Sequence, residues 1–159
     1  MATQWTAGLT ALTPLPAATL NTIGAAWENY TPTWTTAGTQ PVLGNGTLTG
    51  RYARLNRLIV VQIAFAYGST TTGGTTKWLF SLPFTNTTNL SPFFPIGFGY
   101  IQDSSTANTY VIVGDRSNTA DKVGPRYSGV GNFGDVSQTV PFTWAVNDSL
   151  VMECVYEYS

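Results

Sequence analysis

The chain has 159 residues, of which 9% are charged against roughly 25% in an average soluble domain. Net charge is −1, from seven Lys/Arg and eight Asp/Glu, and there is no histidine. These figures argue against phosphate-neutralising nucleic-acid binding, and they remove Ser-His-Asp catalysis and His-ligated zinc.

A chain of this length suits one domain and can bury roughly 70% of its unfolded surface, so a core forms without metals or disulfides. Aromatic residues reach 13%, which opposes disorder. The single cysteine, Cys154, forms no internal disulfide, and its apolar neighbours predict a small buried residue. No secretory signal and no apolar run long enough to span a bilayer is present, so no membrane insertion is expected.

Residues 1–12 are small and polar, with Trp5, Leu9 and Leu12 as possible docking anchors. Thr13 to Glu28 reads as a helix: Thr13 suits the cap and Pro14 the first turn. Leu20, Ile23 and Trp27 form its apolar stripe. That stripe packs either on the chain's own β domain or on sister helices around an axis.

From Tyr30 the pattern turns to β. Tyr30–Thr36 is strand-like, with Pro32 suited to an edge. Gly44-Asn45-Gly46 marks a turn. Thr47–Leu55 and Arg57–Tyr67 form an antiparallel pair linked at Asn56. On the second strand, Ile59, Val61, Ile63, Phe65 and Tyr67 make one face and Leu58, Val60, Gln62, Ala64 and Ala66 the other. Both faces are largely apolar, so both should be covered, the second by another subunit.

Residues 69–76 read as a polar loop and Lys77–Leu82 as a strand. Phe84–Pro95 reads as a long surface connection. Strands are expected at Ile96–Gln102, Tyr110–Gly114, Val140–Trp144 and Leu150–Tyr158. Residues 115–133, rich in Gly, Asn, Asp and Arg, allow only short ones. The predicted class is all-β: a jelly-roll-like antiparallel β-sandwich with one short N-terminal helix. Residues 1–29 would be an attachment arm and helix, and residues 30–159 the head domain.

Chemistry-bearing motifs are weak. Gly44-Asn45-Gly46 lacks the Lys-Ser/Thr of a phosphate loop, and Gly97-Phe98-Gly99 has no third glycine. Asp103, Asp115, Asp121 and Asp135 could pair for glycoside hydrolysis, and residues 115–121 could offer oxygens to calcium without EF-hand spacing. Aspartate in glycine-rich loops is explained by turn chemistry alone. No enzyme activity and no cofactor are expected. Phe93, Phe94, Tyr100, Tyr110, Tyr127 and Phe133 lie in or beside predicted loops. They could stack on sugar rings or serve as core and interface aromatics.

Tyr30-Thr31-Pro32-Thr33-Trp34, followed by Gly44, Gly46, Leu48, Gly50 and Tyr52, resembles tail-associated and other virion proteins of bacteriophages infecting actinobacteria. The similarity covers residues 12–67, with a weaker likeness of Phe142–Tyr156 to the closing strands of trimeric jelly-roll heads. The resemblance implies a homotrimeric virion component at a tail tip or on a capsid, contacting the host surface. The short chain, beginning at Met1 just before the helix, suggests a small knob rather than a long fibre.

On that basis residues 1–12 would contact other virion proteins. Leu20, Ile23, Trp27, Val60 and Gln62 would form the trimer interface. Phe93, Tyr110, Tyr127 and Phe133 would meet host carbohydrate. A decoration or cement protein without a ligand, and a small glycan-degrading enzyme, are the alternative readings.

Overall fold

The computed structural model describes residues 26–86, 94–117, 120–129 and 133–158. Within them lie ten strands: β1 (Glu28–Tyr30), β2 (Trp34–Thr35), β3 (Thr47–Leu55), β4 (Leu58–Ala66), β5 (Leu79–Ser81), β6 (Pro95–Asp103), β7 (Asn108–Arg116), β8 (Lys122–Ser128), β9 (Phe133–Asp135) and β10 (Ser149–Glu157). All pairings are antiparallel, in the order β1-β3-β4-β10-β6-β7-β8-β5-β2, with β9 also on β8.

The strands at the two ends of this order, β1 and β2, are separated in sequence by Thr31-Pro32-Thr33 alone. The sheet therefore curls until its ends meet. Thr33 N donates to Ser81 Oγ at 2.8 Å, Ser81 N donates to Thr33 O at 2.9 Å, and Tyr30 OH donates to Ser81 O at 3.3 Å. Pro32 has no N–H to leave unpaired, which suits the crossing between edges.

The curl puts one face of every strand inside. From β4 it takes Ile59, Val61, Ile63 and Phe65; from β10, Leu150, Met152, Cys154 and Tyr156. Trp34, Trp78 and Trp144 close one end, with Trp78 centred 4.7 Å from Trp34 and 4.6 Å from Trp144. Trp78 Nε1 donates to Gly73 O at 2.8 Å, so the buried indole keeps a partner. Each such large apolar side chain contributes about 1.5–3 kcal/mol by leaving water.

The hairpin β3–β4 follows the alternation residue by residue, with Asn56 at φ 54° in its turn. Gly97 and Gly99 lie inside β6, with a register irregularity between Pro95 and Gly97. A Cβ on Gly99 would stand 2.0 Å from Val151 O, so glycine lets β6 approach β10 closely.

Several expectations change. The helix over residues 13–28 does not reach its predicted end: Trp27 is in no regular element and Glu28 belongs to β1. Its earlier residues, including Leu20 and Ile23, lie outside the described residues, as do residues 1–12. The region 115–133 is not limited to short strands. The seven-residue β8 runs through Gly124 and Pro125, because β7 on one side and β5 and β9 on the other supply its ladder.

Val140–Trp144 is no strand. Val140 makes a single bridge to Ser137, and Pro141 has no N–H to extend it. Nor is the start of the 84–95 connection a surface segment. Asn86 is fully buried, bridges to Tyr158, and accepts from Arg116 Nε at 2.6 Å.

Candidate functional site

The outer face of the curled sheet can be read across its register. One row runs Asn29, Arg51, Gln62, Glu153, Phe98, Val113, Arg126, Asp135, each residue opposite the next on the neighbouring strand. At its centre the side chains link: Arg51 Nε donates to Gln62 Oε1 at 2.7 Å, and Gln62 Nε2 donates to Glu153 Oε2 at 2.7 Å. The Arg51 guanidinium also lies 4.7 Å from the centre of the Trp27 ring.

Beside this row runs Thr49, Ala64, Val151, Tyr100, Val111. Thr49 and Ala64 are small, as is Gly99 beneath, while Arg51, Gln62, Phe98 and Tyr100 are long. The height difference hollows a groove of about 560 Å³ lined by these residues together with Asn29 and Glu153. Phe98 and Tyr100 alternate with Gly97 and Gly99 on β6, so both rings face outward. They are 66% and 46% exposed.

The other end of the same face is apolar. Ala53, Val60 and Val155 form one cross-strand row, and Leu55 opposes Leu58. Leu55 and Leu58 are each 42% exposed and Val155 is 44% exposed. An Arg57–Glu157 ion pair at 3.0 Å borders them. At the opposite end of the sheet lies a charge cluster, with Asp115 and Asp135 both on Arg126, at 3.2 and 3.3 Å, and Lys77 3.2 Å from Asp135.

The residues expected to act divide clearly. Val60 and Gln62 do point outward, as alternation predicts, but Gln62 already bonds within its own chain through Arg51 and Glu153. Trp27 is exposed above Arg51. The carbohydrate set is not one surface. Tyr110 opposes Ile101 and Tyr127 opposes Ile112, both on the inner side, where the two tyrosines pack half-buried against the core. Tyr110 stacks on Phe142 at 5.3 Å. Phe133 lies on the outer side under Arg126, with the guanidinium carbon 5.7 Å from its ring centre. Phe93 falls outside the described residues.

Among the aspartates, Asp115 and Asp135 converge on Arg126. Asp103 instead closes its own loop, accepting from Ser105 N and Oγ and from Thr106 N and Oγ1. Those bonds, the Ser105 hydroxyl first, hold the Asp103 carboxyl below the usual carboxylate range. Among the described residues no three His, Cys, Asp or Glu side chains gather as a metal site. Burial pushes the Cys154 thiol up to about 12, so the thiol is inert at neutral pH.

Sequence reasoning missed Arg51, Phe98 and Glu153. They come from three strands and meet only because β10 lies between β4 and β6. The available signal was the alternation of β6 and β10, which sets Phe98 and Tyr100 together on one side of their strand and Val151, Glu153 and Val155 together on one side of theirs. In comparisons with known proteins, no family model, no curated protein and no solved structure matches the chain.

Proposed function

We propose that this chain is a structural virion protein of the bacteriophage kind. Its jelly-roll-like head associates as a homotrimer, and residues 1–12 attach it to the particle. The observation that carries this reading is the apolar end of the outer face. Leu55, Leu58, Val60 and Val155 stand side by side across three strands on a surface facing water. Contiguous exposed apolar patches mark interaction sites, and covering one stabilises by roughly 25 cal/mol per Å² of apolar area.

The segment that resembles phage virion proteins also has a clear structural part. Tyr30-Thr31-Pro32-Thr33-Trp34 spans β1, the crossing and β2, where the curled sheet meets itself. A role in shaping a rigid head is consistent with that position. The head would display host-contacting chemistry and repeat it three times, multiplying weak contacts by avidity.

Sedimentation of the full chain at micromolar concentration tests the assembly. A trimer is expected, and Leu58→Glu combined with Val155→Glu should dissociate it while leaving the β circular-dichroism spectrum intact. A wild-type monomer, or a trimer indifferent to both changes, overturns the reading.

A further inference from the structure

The groove on the outer face is a separate surface from the apolar end, and its chemistry is different. From these residues we infer that it is a binding site for a neutral saccharide, formed by the aromatic pair Phe98 and Tyr100 beside the polar row Arg51–Gln62–Glu153. The inference deepens the host-contact part of the proposed function and rests on it.

The aromatic side comes from β6. Residues two apart on a strand stand about 6.5–7 Å apart on one face. Phe98 and Tyr100 therefore present two rings in succession whose apolar faces are largely exposed among the described residues. The C–H faces of sugar rings fit such faces, and the sugar hydroxyls then need donors and acceptors at the edge. Glu153 stands opposite Phe98 and Val151 opposite Tyr100, so the polar row begins one strand away.

That row is preorganised. Arg51 orients Gln62, and Gln62 orients Glu153, through hydrogen bonds of 2.7 Å each. A guanidinium offers five N–H donors and a carboxylate about four acceptor sites, so one bond apiece leaves capacity for hydroxyls. Asn29 adds an amide at the groove edge.

The charge balance selects the ligand. Arg51 and Glu153 cancel, so the groove attracts neither an anion nor a cation strongly. Its volume lies within the roughly 300–1,000 Å³ of small-ligand clefts. A peptide fits poorly, because β-strand addition needs an unpaired sheet edge. Here β4, β10 and β6 are already paired to each other. Paired-carboxylate hydrolysis needs a second acid within about 5–10 Å. Among the described residues Glu153 is the one carboxylate lining the groove, which suits binding rather than cleavage.

The full chain is tested on an array of neutral gluco-, galacto-, manno- and arabino-oligosaccharides, with sulfated and sialylated oligosaccharides alongside. Binding to at least one neutral class is expected. Phe98→Ala and Tyr100→Ala should each weaken it about tenfold, as loss of a stacked ring implies. Val146→Ala, an exposed position outside the groove, should leave it unchanged.

Should either ring variant fail to fold, Gln62→Leu keeps side-chain volume, breaks the polar row and should cost a comparable factor. No neutral binding, a preference for sulfated or sialylated probes, or binding retained in all three groove variants overturns the inference. So does loss of the trimer in Tyr100→Ala, which would make the groove a subunit contact. A trimer that binds no saccharide sinks the groove assignment alone. A monomer that binds one sinks the assembly reading alone.

Discussion

The two faces of one strand, β4, behave as different materials. Inward, Ile59, Val61, Ile63 and Phe65 are essentially inaccessible to water, and Phe65 packs against Trp34 and Trp78. Outward, Leu58, Val60, Gln62 and Ala64 pass from an exposed apolar end to a hydrogen-bonded polar groove within a few residues. Their sequence composition is similar enough that both faces read as buried. The lesson is that apolar alternation identifies a face able to pack, while the fold decides which face is packed within the chain.

The comparison breaks most sharply on large truncations. Trp78→Ala on the inner side should cost about 3–5 kcal/mol in urea unfolding, whereas Phe98→Ala on the outer side should stay within about 0.5 kcal/mol, as for surface positions. Equal costs would mean the outer face is structurally buried in the assembled protein. Gly99→Ala probes the seam between the faces. Its Cβ would meet the Val151 carbonyl at 2.0 Å, so β6 must move away from β10. A loss of about 1–3 kcal/mol is expected, as for an overpacked site. A neutral result would show that β6 shifts freely.

The smallest effect is chemical and belongs to the inner face. Cys154 has its thiol pushed up by burial from about 9 to about 12. A raised folded-state value favours the protonated group, so its contribution is fully present below pH about 9 and is lost as pH rises toward about 12. Burial raises the Tyr30 and Tyr156 hydroxyls in the same direction. Urea midpoints should therefore fall above pH about 9, and Cys154→Ala should flatten part of that fall. A midpoint unchanged between pH 8 and 11 would contradict the sealed inner face.

How far the sequence could be read differs between segments for physical reasons. The β3–β4 hairpin was legible because its pairing is local and Asn56 marks the turn. The strand β8 was not, because Gly124 and Pro125 read as interruptions until β7, β5 and β9 surround them. The aromatic candidates Tyr110 and Tyr127 lie near loops in sequence, yet alternation turns their rings inward. Tyr100 read equally as a sugar-stacking ring or a packed one, and its polar neighbours were not legible at all. Gln62 and Glu153 touch across 91 positions of chain.

By itself the sequence determined the all-β class, most strand positions and the burial of Cys154. These follow from local alternation and from the scarcity of charge, which act within a few residues. Only the tertiary structure decided that β10 lies between β4 and β6, that β1 and β2 meet as the sheet curls, and that a groove opens on its outer face. Those depend on pairing between distant strands. Their register comes from the best joint packing of all inner side chains, which no single segment encodes.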